Sequence, residues 1–179
     1  MLNLLPTVYL LKYWTMEKTL VVLKPDAVAR GLAGEILTRF ERAGLKVVGL
    51  KMVSPDEQHY HQHYEEIGQL ISRRGEEVYR RNADFMMTGP VIAMVLEGVD
   101  AVGIARKIVG DTEPQKALPG TIRGDYAHTN IEYVNANDSP LANLIHASAD
   151  PNEAKAEIKH WFKPAEMYDY KTVHQHLTQ

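Results

Sequence analysis

The feature that most constrains this chain is an alternation: short apolar runs of strand length are separated by stretches with helical spacing, and most junctions carry their own stop signal. Residues 19–23 (TLVVL) are rich in β-branched side chains and end at Lys24-Pro25, so they read as a buried strand. Over 33–43 the spacing turns helical, with Leu32, Ile36, Leu37 and Phe40 on one face and Gly44 where a left-handed stop belongs. Residues 46–53 predict a second strand with Val48, Leu50 and Met52 alternating inward. Ser54-Pro55-Asp56-Glu57 predicts a helix start in which Ser54 caps and Glu57 completes the box. That helix runs to Ile67 with Tyr60, Tyr64 and Ile67 on one stripe, and a second covers 76–86.

Residues 90–96 (PVIAMVL) form the clearest buried strand, followed by a helix over 100–109, capped by Asp100 and stopped by Gly110. Residues 111–141 have little periodicity and read as one long loop, a length that usually signals function. Residues 143–146 predict a fourth strand, and Asp150-Pro151-Asn152-Glu153 opens a helix that buries Ala154, Ile158, Trp161 and Phe162. With βαβ order in both halves, the natural architecture is α/β (α+β): a ferredoxin-like sandwich, its four-stranded antiparallel sheet packed by helices, two of them paired on one face.

Composition narrows the partners. At 179 residues and 45% hydrophobic, the chain has enough apolar mass for one domain and not comfortably for two. A net charge of -3 argues against bulk electrostatic attraction to nucleic acid, so any polyanion must be handled by local Lys and Arg. There is no cysteine, which removes disulfides and Cys-based zinc sites and permits a cytoplasmic location. Residues 1–15 are apolar and interrupted by Pro6. They lack the basic front and cleavage site of a signal peptide and are too short to span a membrane. They read as an N-terminal extension to a domain over 16–179, with Met16 an alternative start.

The chemistry is first defined by absences. There is no GxxxxGK[ST] phosphate loop, no protein-kinase Gly-rich loop with its HRD segment and no GxGxxG. The informative cluster is Asn143-Leu144-Ile145-His146-Ala147-Ser148. A neutral imidazole keeps a lone pair on one ring nitrogen and can act as a nucleophile, provided a partner fixes its tautomer. Glu157, on the following helix, is positioned to be that partner. Taken alone, a histidine at a strand end is more often structural. Lys24, Arg106 and Arg123 come from separate elements, and their convergence would supply the charge neutralisation that phosphoryl transfer needs. Each by itself is an ordinary surface charge.

Taken together, these segments resemble the nucleoside diphosphate kinase family from about Glu17 to about Tyr170. The matching stretches are TLVVLKPDAV at 19–28, GLKVVGLKM at 44–52, TGPVIAMVLEG at 88–98, PGTIRGDY at 119–126 and NLIHAS at 143–148, closed by E-I-x-x-W-F from Glu157 to Phe162. The resemblance implies transfer of the terminal phosphoryl group of a nucleoside triphosphate such as ATP to a nucleoside diphosphate. The route would be ping-pong through phosphorylated His146. It implies that Lys24 and Asn143 contact the sugar hydroxyl and the transferred phosphoryl, and that Arg106, Thr112 and Arg123 bind phosphates. Ser148 and Glu157 would hydrogen-bond around His146, with Tyr64 supporting that shell. Pro114 would begin the family's protruding loop. The resemblance also implies magnesium carried largely by the nucleotide phosphates, with no protein metal cluster, and a homo-oligomer, tetramer or hexamer, in the cytoplasm without membrane contact.

The chain departs from the family in places. Ala147 stands where the family usually has glycine, and Ala149 where it usually has aspartate. The stretches between Tyr64 and Gly89 and from Tyr126 to Leu141 are longer than usual. The position that stacks on the base falls at Val78, with Tyr79 as the alternative. These departures keep open a second reading, a catalytically weak nucleotide-binding regulatory module on the same fold. His59 and His63 lie one helical turn apart but have no evident third metal ligand, so a solvated face is expected. Arg73, Arg74, Arg80 and Arg81 read as a charged surface rather than as a contact for nucleotides or nucleic acid.

Overall fold

The computed structural model describes residues 16–173 and 175–178. The reading of residues 1–15 as an extension lies outside the described residues. Four strands form one sheet: β1 (Met16–Leu23), β2 (Lys46–Val53), β3 (Val91–Val99) and β4 (Ile145–Ala147), in the order β2-β3-β1-β4. All three pairings are antiparallel, as the ferredoxin-like order requires. The helices follow as α1 (Pro25–Ala29), α2 (Ala33–Arg42), α3 (Glu57–His61), a π-helix (Gln62–Ile67), α4 (Leu70–Arg74), α5 (Glu76–Met86), α6 (Ala101–Val109), α7 (Ile122–Tyr126), α8 (Ile131–Ala136) and α9 (Pro151–Trp161).

The pair expected on one face is α2 and α6. Ile36 and Phe40 of α2 and Ala101 and Ala105 of α6 pack on Val21, Leu23, Met94 and Leu96 of the sheet. The second face is covered as well: Tyr60, Met86, Trp161 and Phe162 pack on Leu20, Val22, Ala93 and Val95. The sheet is therefore the middle of three layers. Its central strands are apolar on both faces, which is why TLVVL and PVIAMVL read as unbroken runs rather than as alternations.

Four local expectations are corrected. Leu50 and Met52 point outward, 53% and 58% exposed. A bulge between Val47 and Gly49 leaves Val48 buried as the extra residue and reverses the facing of everything after it. Asp56, not Ser54, caps α3, accepting the His59 N–H at 2.8 Å. Asp100 takes a left-handed backbone (φ 51°) and makes no side-chain cap; the Glu17 carboxylate approaches the start of α6 instead, 3.5 Å from the Val102 N–H. The segment 111–141 is not one loop but holds α7, α8 and a 3-10 turn at Pro114–Lys116, helices too short to show periodicity.

The fold positions the site through β1 and β4. Val22 pairs with His146 and Leu23 with Ile145, and the Lys24 N–H extends the ladder to the Leu144 carbonyl at 2.9 Å. Lys24 and the NLIHAS segment, more than a hundred residues apart, are thereby fixed side by side.

Candidate active site

His146 shares a sheet face with Val22, so its ring is directed towards α9 and the π-helix. There Glu157 Oε1 meets His146 Nε2 at 2.7 Å, and Glu157 Oε2 accepts the Ser148 hydroxyl at 2.5 Å. Ser148 also receives the Leu20 N–H at 3.2 Å, which ties it to β1. Glu157 is 1% exposed, so the carboxylate holds one orientation. An acceptor on Nε2 puts the ring proton there and leaves the Nδ1 lone pair free. α9 fixes Glu157 because its start is well made: Asp150 accepts the N–H groups of Asn152 and Glu153 at 2.8 and 3.0 Å.

The turn before His146 is strained. Leu144 has φ 72°, and the Ile145 N–H bonds the Asn143 carbonyl at 2.9 Å, a γ-turn of the rare hand. Two side chains hold it in place. Asp26 Oδ2 accepts the Leu144 N–H at 3.0 Å, and Arg123 donates to the carbonyls of Asn143 (3.2 Å) and Ile145 (2.6 Å). Arg123 also donates to the Gly110 carbonyl at 3.0 Å. Three of its five N–H groups are thus used to hold it, and two remain for a ligand. The PGTIRGDY motif builds the α7 start that carries it: Thr121 accepts the Gly124 N–H at 3.0 Å. A side chain at Gly124 would sit 2.1 Å from the Leu118 carbonyl, so no other residue fits there.

Electrostatics distinguish this pocket from a surface. Lys24 is buried beside Arg123, and burial followed by that neighbouring charge bring its pKa down to about 8. Burial, then Arg106, bring Arg123 down to about 10. Asp26 offsets both cations only in part, so two buried cations side by side are costly unless an anion is bound. Asn143 donates to the Thr112 carbonyl at 2.8 Å, while its Oδ1 is buried without a protein partner.

The residues singled out in the sequence are brought together. Lys24, Tyr64, Arg106, Thr112, Arg123, Asn143, His146 and Glu157 all line one cavity of about 590 Å³, with Ser148 behind Glu157. Val78 lines its outer part. Tyr79 does not; it packs towards the second core, edge-on to His61. Ala147 pairs with Val21, and the Ala149 N–H reaches Glu153, so both departures leave the His146–Glu157–Ser148 chain intact.

His63 is the correction. The expected solvated histidine is 2% exposed and packs edge-on to His146, ring centroids 4.7 Å apart. Its neighbour Tyr64 is buried too, because the Gly68 N–H bonds the His63 carbonyl at 3.2 Å. That π-type turn brings two consecutive residues inward where an α-helix would bring one. The Trp161 indole N–H donates to His63 Nδ1 at 3.2 Å, so the proton of His63 is on Nε2. Burial, then repulsion from His146, hold its pKa well below the usual value. His63 is neutral, and its 3.5 Å approach to Glu157 is not an ion pair. His59 is half-buried, stacked on His160 at 3.9 Å, and lies on the other side of Trp161. The sequence signal that was available was the HY pair at the end of the helical stripe; spacing alone assigned only Tyr64.

Among the described residues, the cluster with metal-ligand spacing is His63, His146 and Glu157. It is nitrogen-rich and already hydrogen-bonded, unlike the oxygen cage that a hard cation prefers. No helix among the described residues is long and apolar enough to cross a membrane.

Comparison with known proteins accords with this geometry. The family model for nucleoside diphosphate kinase matches residues 17–167. The nucleoside diphosphate kinase of Borreliella burgdorferi is 42% identical over 156 residues, 87% of this chain and 93% of that protein. That of Pyrococcus furiosus is 44% identical, covering 87% and 88%. Among solved structures, a transition-state mimic of the Borrelia burgdorferi nucleoside-diphosphate kinase with bound vanadate and ADP superposes with a TM-score of 0.88 at 40% identity, covering 91% of this chain and 96% of that one. An NDP kinase from Pyrobaculum aerophilum gives 0.78 at 38%, covering 87% and 100%.

Proposed function

The chain belongs to the nucleoside diphosphate kinase family, and from that premise we propose that His146 Nδ1 is the atom that carries the phosphoryl group between nucleotides. The protein is a phosphotransferase that moves a phosphoryl group from a nucleoside triphosphate to a nucleoside diphosphate. The observation that carries the residue assignment is the Glu157 contact with His146 Nε2, which leaves the opposite nitrogen unprotonated.

In the first half-reaction the Nδ1 lone pair forms a bond to the terminal phosphorus, and the bond from that phosphorus to its bridging oxygen breaks. The diphosphate leaves with those electrons. Both ring nitrogens are then substituted, phosphorus on Nδ1 and the proton on Nε2, and the ring carries a positive charge that Glu157 stabilises without taking that proton. A second diphosphate reverses the step. Lys24 and Asn143 contact the sugar hydroxyl and the transferred group, Arg106, Thr112 and Arg123 bind the phosphates, and Tyr64 supports the shell around His146. Val78 is the base contact on this reading. The family is generally dependent on a divalent cation. Magnesium suits the chemistry, and because the cluster with ligand spacing among the described residues is nitrogen-rich, the ion would be carried by the nucleotide's own phosphates.

A domain over 16–179, a cytoplasmic location and a homo-oligomer, tetramer or hexamer, complete the proposal. Leu50 and Met52, exposed on the edge strand β2, support self-association. Light scattering that gives a monomer mass would overturn that part. A catalytically weak binding module is not favoured, since the hydrogen bonds around His146 are complete. A coupled ATP-to-GDP assay tests the central assignment: wild type should turn over and His146→Ala should not. Equal rates would refute it.

A further inference from the structure

We infer that Arg81 determines how tightly the nucleoside is held, by clamping α8 in place as the second wall of the base slot. The inference rests on the proposal that nucleotides reach His146 through this cavity.

The two stretches longer than the family norm fold into α4–α5 and α8 and face each other across the cavity mouth. Leu70 and Val78 line it from one side, Ile131 and Val134 from the other. Among the described residues, the aromatic rings lining this cavity are His63, Tyr64 and His146, all at the phosphoryl end. A planar base in the outer part therefore meets aliphatic groups on two sides instead of a stacking ring. Dispersion falls off steeply with a gap of even an ångström, so affinity there depends on the spacing of the walls.

That spacing is set by few contacts. α8 has six residues and is too short to be stable alone. Its first N–H, from Ile131, is accepted by the Glu113 carboxylate at 3.0 Å. Its far end is held from α5 by Arg81, whose guanidinium donates to Asn135 Oδ1 at 3.1 Å and to the Val134 carbonyl at 3.5 Å, with Asp138 at 3.6 Å. Arg81 is thus spent on the wall across the cleft, with its side chain only 19% exposed. It is not a free cation waiting for phosphate. Removing it leaves the far end of α8 held by the burial of Val134 without a hydrogen bond from α5.

The test compares Arg81→Ala and Asn135→Ala with wild type in two assays. One is steady-state transfer with ATP and GDP. The other is labelling of His146 by phosphoramidate, a phosphoryl donor with no base. Arg81→Ala should raise the KM of both nucleotides by about three- to tenfold, the loss expected for one net hydrogen bond. Asn135→Ala should raise them in the same direction by less, with kcat within about twofold. Phosphoramidate labelling should match wild type in both variants. Unchanged KM values in both, or a loss of phosphoramidate labelling equal to the loss with ATP, would overturn the inference. His146→Ala run alongside separates the two claims: if it still takes the label, the assignment of His146 fails, whatever Arg81 does.

Discussion

A single proton position decides what His146 can do. Glu157 holds the imidazole proton on Nε2, and Ser148 fills the other carboxylate oxygen, so the carboxylate cannot turn away. In Glu157→Gln, an amide N–H turned towards His146 would move the ring proton to Nδ1 and block the lone pair. We expect kcat to fall by about ten- to a hundredfold in the coupled assay, in keeping with loss of a partner that orients a reactive histidine. A rate within twofold of wild type would contradict this role. Lys24 gives a prediction of opposite sign for stability and activity. Its folded pKa is about 8 against an ordinary 10.5, so between those values the unfolded chain binds more protons and stability rises with pH. Below pH 8 the nucleotide-free protein bears the whole cost, about 1.4 kcal/mol for every pH unit that separates the two values. Lys24→Met should therefore melt higher than wild type at pH 7 and transfer no phosphoryl group; a lower Tm would show that the buried charge is not the cost assigned to it. The residues proposed for this chemistry were legible in the sequence because they sit in short motifs whose type and order carry the information. His63 was not, because its burial depends on one π-type turn that spacing rules do not anticipate.

At the scale of elements, α9 shows how a helix end fixes the position of a buried carboxylate. Asp150 accepts two N–H groups and starts the helix at the pitch that brings Glu157, two turns on, under His146. Asp150→Ala should cost about 0.5–2 kcal/mol and lower Tm by about 2–4 °C per kcal/mol, read by calorimetry. An unchanged Tm would mean that α9 is held by packing alone. The DPNE signal was legible because caps are local chemistry. The facing of β2 was not: alternation places Leu50 and Met52 inward, and one extra residue in the strand turns them out. α7 and α8 were missed for a related reason. They span five and six residues, too few for a period to appear, and are held by capping bonds from Thr121 and Asn130 and by tertiary contacts.

For the whole molecule, the sheet brings together what the sequence separates. The β1–β4 ladder sets Lys24 against Asn143–His146, α6 and α7 bring Arg106 and Arg123 to the same cavity, and the two longer segments close its mouth. The architecture was legible from element order. The mutual contact of the longer segments was not, because it rests on one guanidinium bridging more than fifty residues. The central claim is that this arrangement leaves one nitrogen of one imidazole free to take phosphorus, and phosphorus NMR of the ATP-labelled protein tests it most directly. We predict a single phosphohistidine signal with the Nδ1-linked shift, absent in His146→Ala. An Nε2-linked signal, or a label that survives that substitution, would contradict the account.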